Sequence, residues 1–215
     1  MRIDLNQVSK GRRGLALPET SLTYRGGEAR LALAETEQRP TVLGLIASGR
    51  MRPETGQVLI DGRRDDSDIR RRVALVDAPD VCDPAPNVSL YGLVAEELMF
   101  AGRHANPLAA RTWLTENGME TEWRTPVADL SPARRLRTLL ELTVLRRGVE
   151  AVVLVSPDRH GGSPHTWWDL AEEFAGRGFG VLVIAGAASG TVLADRATLA
   201  TEPVPTASAT EENVR

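Results

Sequence analysis

The stretch LALAETEQRPTVLGLIASGRMRPETGQVLIDG, Leu31–Gly62, decides how this chain folds. An apolar strand at Leu31–Ala34 enters a polar turn, and the turn feeds a helix that opens at Pro40-Thr41. Gly49 closes that helix, Pro53-Glu54-Thr55-Gly56 turns the chain, and Val58-Leu59-Ile60 starts a further strand that ends at Asp61-Gly62. Strand, turn and helix form the frame of a phosphate-binding loop, because the first N–H groups of a helix and its dipole attract anions. A loop of the form G-x-x-x-x-G-K-[ST] needs glycines so that the backbone wraps the phosphates, and a lysine against the β/γ charge. Laid over Ala34–Thr41, those positions hold Ala34, Arg39, Pro40 and Thr41. Proline stands at the lysine position, and Glu35 and Glu37 put negative charge where a polyphosphate would lie. Thr41, at the magnesium-ligand position, is the one that fits. The frame of a nucleotide site is present without its chemistry.

Outward from this unit, Ile3-Asp4-Leu5 begins a short alternating strand, and Ser21–Arg25 is a second β-prone segment. Gly26-Gly27 turns the chain into Ala29–Ala34. The helix from Pro40 carries Leu43, Ile46 and Ala47 on one face, with proline at the position where a missing N–H costs nothing. RRDDSDIRRR, residues 63–72, mixes both signs and reads as solvated surface. Val73–Val76 is a buried-type strand, and Asp77–Asn87 (DAPDVCDPAPN) is an extended loop rich in proline and aspartate. From Ser89 to about Met119 the pattern is helical, with Leu93, Glu97 and Phe100 at helix spacing, Trp113 starting a second apolar face and a break at Asn106-Pro107. These pieces predict a small helical subdomain over about 89–147.

Ser131-Pro132 opens the clearest helix, an N-cap with proline in the first turn, whose buried stripe is Leu136, Leu139, Leu140 and Val144 and whose stop is Gly148. Ala151–Val155 and Gly180–Ile184 are continuous apolar runs, as expected of strands covered on both faces. Between them His165–Ala175 is amphipathic, with Trp167, Leu170, Ala171 and Phe174 inward and one ring of the Trp167-Trp168 pair toward the surface. Thr191–Leu199 is read as an edge strand, and TEPVPTASATEENVR from Thr201 as a polar, disordered tail. Strands alternating with helices predict a largely parallel sheet with helices on its faces.

At 215 residues the chain suits a single α/β domain with a helical insertion. A net charge of -3, from 26 basic and 29 acidic side chains, offers no general attraction to nucleic acid or anionic lipid. A lone cysteine, Cys82, precludes an intramolecular disulfide framework and suits the cytosol; no basic helix start lies near it to activate the thiol. MRIDLNQVSKGRRG lacks the apolar centre of a signal peptide, and no run approaches the roughly 20 apolar residues that span a bilayer. His104, His160 and His165 have no metal-like spacing, and HGGSPH (160–165) reads as a connection rather than a catalytic group with Asp158. Arg134, Arg135, Arg137, Arg146 and Arg147 read as a solvated helix face, with a partner interface as the alternative for the first three.

In this order the segments resemble the ATP-binding subunit of ABC transporters over roughly residues 1–200. PETGQVLIDG matches the segment after that family's first helix, Arg70–Val76 its next strand, and NVSLYGLVAEELMFAGR the start of its helical subdomain. DLSPARRLRTLLELTVLRRG falls at its signature and following helix; AVVLV and WWDLAEEFAGRGFGVLVIAG fall at its last core strands and the helix between them. The fold this implies is a P-loop NTPase-like sheet core with an antiparallel N-terminal β part and an inserted helical subdomain.

Carried over one by one, the family's catalytic residues are missing. No aromatic side chain stands in Lys10–Pro18, where the family stacks adenine. The glutamine that senses magnesium falls at Ala78, and the signature LSGGQ at Leu130, Ser131, Pro132, Ala133 and Arg134. The Walker B aspartate and catalytic glutamate fall at Ser156 and Pro157, the D-loop aspartate at Ser163 and the switch histidine at Gly186. A one-residue slip brings Asp158 near the metal position without restoring an Asp-Glu pair. The resemblance therefore implies a pseudo-ATPase, with ATP and magnesium binding weak or absent. It also implies docking on an integral membrane permease through Ala78, Leu90, Tyr91, Leu93 and Val94, and pairing with a second ATP-binding subunit or a second copy. The expected location is the cytoplasmic inner face of the membrane, without insertion into it and without nucleic acid. The alternative is a soluble regulatory or scaffold protein that kept the fold and left transport.

Overall fold

The computed structural model describes residues 1–35 and 39–200. The N-terminal strand is longer than the short one expected: β1 runs over Arg2–Lys10, with Ile3, Leu5 and Val8 buried on one side. It pairs antiparallel with β2 (Leu17–Arg25) and β4 (Thr55–Ile60) in the order β2-β1-β4. Near its start β4 passes Gly56 at φ +72, where a Cβ would stand 2.2 Å from the Asn6 carbonyl oxygen, so no other residue fits there.

The second sheet is parallel, in the order β3-β7-β6-β5, from Ala29–Leu33 (β3), Gly180–Ala185 (β7), Ala151–Val155 (β6) and Val73–Val76 (β5). Every residue of β5, β6 and β7 is buried. Strand alternation divides these side chains between two cores. Leu75, Val153, Val155, Leu182 and Ile184 face α1 (Arg39–Ala47) and the antiparallel sheet. Val76, Val152, Leu154, Val181 and Val183 face the helices on the other side. Gly44 lets α1 lie close on the sheet, since a Cβ there would come within 2.7 Å of a Val155 methyl and 3.1 Å of Leu75. The Tyr24 hydroxyl donates to the Ala47 carbonyl at 2.7 Å and ties the antiparallel sheet to the end of α1.

The helical subdomain consists of α3 (Leu90–Phe100), α4 (Pro107–Glu116) and α5 (Pro132–Val144), capped by Ser89, Asn106 and Ser131. Its core takes Leu93, Trp113, Leu136, Leu139 and Leu140, while Val144 is half-buried, Leu142 takes the inward position and Phe100 stands 60% exposed. Helix α6 (Pro164–Gly176) packs beside α5, and both Trp167 and Trp168 are buried, so neither ring is at the surface.

Two segments differ from the sequence reading. RRDDSDIRRR is not a featureless charged surface but contains α2 (Asp66–Arg72), capped by Asp65, whose carboxylate accepts the Ser67 and Asp68 N–H groups. Ile69 supplies its apolar anchor, Arg72 is held by Asp61, Asp68 and Glu150, and β5 begins at Val73 as the apolar run predicts. Thr191–Leu199 is not a strand: α7 (Ala187–Val192) occupies its start, and Leu199 makes an isolated parallel bridge to Leu31. The polar tail from Thr201 lies outside the described residues.

Because Gly44 is backed by side chains of β5 and β6, Gly44→Val is expected to destabilise the fold by about 1–3 kcal/mol through overpacking. Chemical denaturation of the full chain measures this; an unchanged midpoint would show that α1 is free to move off the sheet.

Candidate functional site

Ligands of parallel α/β sheets bind beyond the carboxyl ends of the strands. There the chain runs from β3 into Ala34-Glu35, from β5 into Asp77-Ala78, from β6 into Ser156 and a 3-10 turn at Pro157–His160, and from β7 into Gly186-Ala187. Ser156, with φ +48, and Asp77, with φ +56, both adopt the left-handed conformation, turning the chain abruptly as it leaves the sheet.

Carboxylates of the chain itself occupy the backbone donors at this edge. Glu35 Oε1 accepts the Ala187 N–H at 2.8 Å, and Asp158 Oδ2 accepts the Gly186 N–H at 2.9 Å and the Ser189 hydroxyl at 3.2 Å. A Cβ on Gly186 would stand 3.3 Å from Asp158 Oδ2 and 3.6 Å from Glu35 Oε1, so the carboxylates crowd the place where a larger residue would begin.

Beside them lies a buried ionic cluster. The Asp77 carboxylate is fully buried and receives Arg135 Nη2 at 2.6 Å, Arg159 Nη2 at 3.1 Å and His160 Nε2 at 2.7 Å. Arg159 Nη1 also donates to the Asp77 backbone carbonyl at 2.6 Å. Burial by itself raises the Asp77 pKa, but hydrogen bonds from His160 and Arg135 and the charges of Arg135 and Arg159 outweigh it and hold the carboxyl below 3.8. Arg135 is thus not part of a solvated face. Arg137 also has partners, pairing with Glu173 of α6 at 2.5 Å, and Arg146 with Glu97 of α3 at 2.6 Å.

The residues expected at a vestigial phosphate loop are divided. Ala34, Arg39 and Thr41 are half-buried, Pro40 is buried in the first turn of α1, and Glu37 lies outside the described residues. Among the residues expected at the signature, Leu130 is buried and the Ser131 hydroxyl accepts the Arg134 N–H at 3.4 Å as a helix cap. Pro132 and Ala133 form the first turn of α5, and the Arg134 guanidinium donates to the Gly118 carbonyl at 3.1 Å. Ser163 is exposed at the start of α6.

The expected docking residues need correction. Ala78, Leu90, Leu93 and Val94 are buried inside the domain, so the apolar surplus of this segment closes the protein's own cores. Tyr91 remains half-buried, its ring edge-on to Trp123 at 6.2 Å. Burial pushes the Cys82 thiol pKa up, which opposes thiolate chemistry. Among the described residues no group of three or more His, Cys, Asp or Glu is placed to hold a metal ion, and no helix is long and apolar enough to cross a membrane.

No family model matches the chain, and no curated protein sequence matches it. Solved structures do. A dimeric bacterial ABC transporter cassette superimposes with a TM-score of 0.62 at 18% identity, covering 88% of this chain and 90% of that one. The chain has the fold of an ABC transporter ATP-binding cassette. A nucleotide-free ATP-binding cassette gives a TM-score of 0.62 at 13% identity over 91% of this chain and 85% of that one. CbiO1 of Clostridium perfringens, part of the ABC transporter complex CbiONQ, gives 0.58 at 16% identity over 86% and 77%. The cassette fold accounts for the mixed architecture, a parallel core with an antiparallel sheet and an inserted set of helices.

A carboxyl held below its ordinary value contributes stability that is present above the unfolded pKa, about 3.9, and is lost as the pH falls through the native value beneath it. Asp77→Asn is therefore expected to lower stability at pH 7 by about 3–5 kcal/mol, leaving the buried Arg135 guanidinium without a counter-charge. The gap to the unsubstituted protein should narrow between pH 7 and a pH acid enough to neutralise Asp77 itself, which its lowered pKa places beneath the ordinary carboxylate range. Denaturant titrations at the two pH values measure it, and a gap independent of pH would contradict the ionic account.

Proposed function

We propose that the chain is a catalytically inactive ABC-type ATP-binding subunit, a structural or regulatory component of a membrane transporter. The observation that carries this reading is the edge of the parallel sheet. There Glu35 and Asp158 accept the N–H groups of Ala187 and Gly186. Buried Pro40 stands at the lysine position, and Ser156, Pro157 and Gly186 supply neither metal ligand, general base nor switch histidine. ATP with magnesium does not fit these residues, because a polyphosphate would meet Glu35 instead of a lysine. A general base contributes roughly 10²–10⁴-fold to rate, and positioned electrostatic groups usually more. Losing them together leaves no meaningful hydrolysis.

In this reading the chain sits peripherally at the inner face of the membrane, docks on an integral membrane permease and pairs with another ATP-binding subunit or a second copy. Burial of Leu90, Leu93 and Val94 leaves Tyr91 and Glu96 as the accessible part of the originally expected docking segment.

Magnesium-ATP is expected to leave the melting temperature of the purified protein unchanged. A ligand at 100 times its Kd adds about 2.7 kcal/mol, an easily visible shift, so a magnesium-dependent rise would refute the inactive site. Pro40→Lys alone is expected to restore no ATP turnover, because Ser156, Pro157 and Gly186 are unchanged; phosphate release above background in that variant would overturn the assignment of those positions. For docking, Tyr91→Ala combined with Glu96→Lys is expected to reduce recovery of a multi-span permease from detergent-solubilised membranes while the variant stays folded. Recovery at the unsubstituted level places the contact elsewhere.

A further inference from the structure

We infer that the Asp77 cluster is a ligand-independent lock that fixes the helical subdomain on the parallel-sheet core. The groups come from separate parts of the fold: Asp77 from the end of β5, Arg135 from the first turn of α5, and Arg159 and His160 from the 3-10 turn after β6. They are separated in sequence by 58, 82 and 83 residues, so their meeting fixes three segments with respect to one another. Arg135 is the arm that belongs to the helical subdomain. Its side chain is 7% exposed, its Nη2 reaches Asp77, and its Nε is buried with no hydrogen-bond partner.

This arrangement is a poor way to obtain stability alone, because the desolvation of a buried pair can exceed its Coulomb gain and apolar residues of similar volume often serve as well. What the cluster supplies is direction. A carboxylate that receives Arg135 and Arg159 on one oxygen and His160 on the other accepts one relative placement of α5 and the 3-10 turn. A shift of α5 leaves the buried Arg135 guanidinium unpaired, and a shift of the 3-10 turn takes Arg159 and His160 off the carboxylate. Arg159 adds a second contact, to the Asp77 carbonyl, and thereby also holds the left-handed backbone at that residue. The subdomain is therefore held without a bound molecule between it and the sheet. The inference does not depend on ATP turnover or on a permease, and its test uses neither.

Hydrogen–deuterium exchange of the full chain at pH 7, without ligand, tests it. In Asp77→Asn, amides of α5 and of residues 157–160 should accelerate at least about tenfold more than those of β6 and β7, which rise only with the loss of global stability. In Arg135→Met, the acceleration should fall on α5 and spare residues 157–160; in Arg159→Leu, the reverse. Should Asp77→Asn fail to fold, the two single-arm variants carry the test, since each leaves the carboxylate with one guanidinium and the His160 ring as partners. Unchanged α5 exchange in Arg135→Met overturns the lock. So does a uniform acceleration across all elements, which would make Asp77 a general stability determinant.

Discussion

The constraint on which the rest of this structure depends is that β5, β6 and β7 bury both faces. A strand with water on neither side needs an apolar layer above and another below, and parallel pairing requires each connection to cross over one of those layers. Here one layer is α1 with the antiparallel sheet, and the other is α5, α6 and the rest of the helical subdomain. Placing α1 close enough required a glycine at 44, and binding the antiparallel sheet to it used the buried Tyr24 hydroxyl. The two cores follow from the alternation of a few apolar residues in AVVLV and GVLVIA.

Parallel strands all end at the same edge, so that edge gathers polar loops and backbone N–H groups needing acceptors. In a nucleotide site a phosphate can be that acceptor. In this chain Glu35 and Asp158 accept at the turn after β7, and Asp77 gathers the cations supplied by α5 and the 3-10 turn. The edge is satisfied from within. These loops have partners that do not arrive with a ligand.

The strands β6 and β7, the cap at Ser131 and the helix following Pro40 were all legible, because each signal is local: an apolar run of strand length, or a side chain that accepts an N–H two or three residues on. The helix at Asp66–Arg72 was hidden because its charge dominates its composition, while one buried isoleucine and long-range pairs to Asp61 and Glu150 anchor it. Thr191–Leu199 looked strand-like by residue type, yet its start coils into α7 beneath the carboxylates of Glu35 and Asp158. Leu90, Leu93 and Val94 looked like surplus because the capacity of the subdomain core depends on α4 and α5, which lie far along the chain.

By itself the sequence determined the α/β class, the apolar strands β5, β6 and β7 and the helices that open at Pro40 and Pro132. These follow from residue type and spacing within a few turns of chain. The tertiary structure alone decided that Asp77 meets Arg135, Arg159 and His160, that Arg135 is buried rather than solvated, and that Glu35 and Asp158 converge on Gly186 and Ala187. Charge partners carry no periodicity. Which carboxylate meets which cation across 58 or more residues is settled by where the strands end and how α5 crosses them, and that geometry exists after the apolar faces have packed.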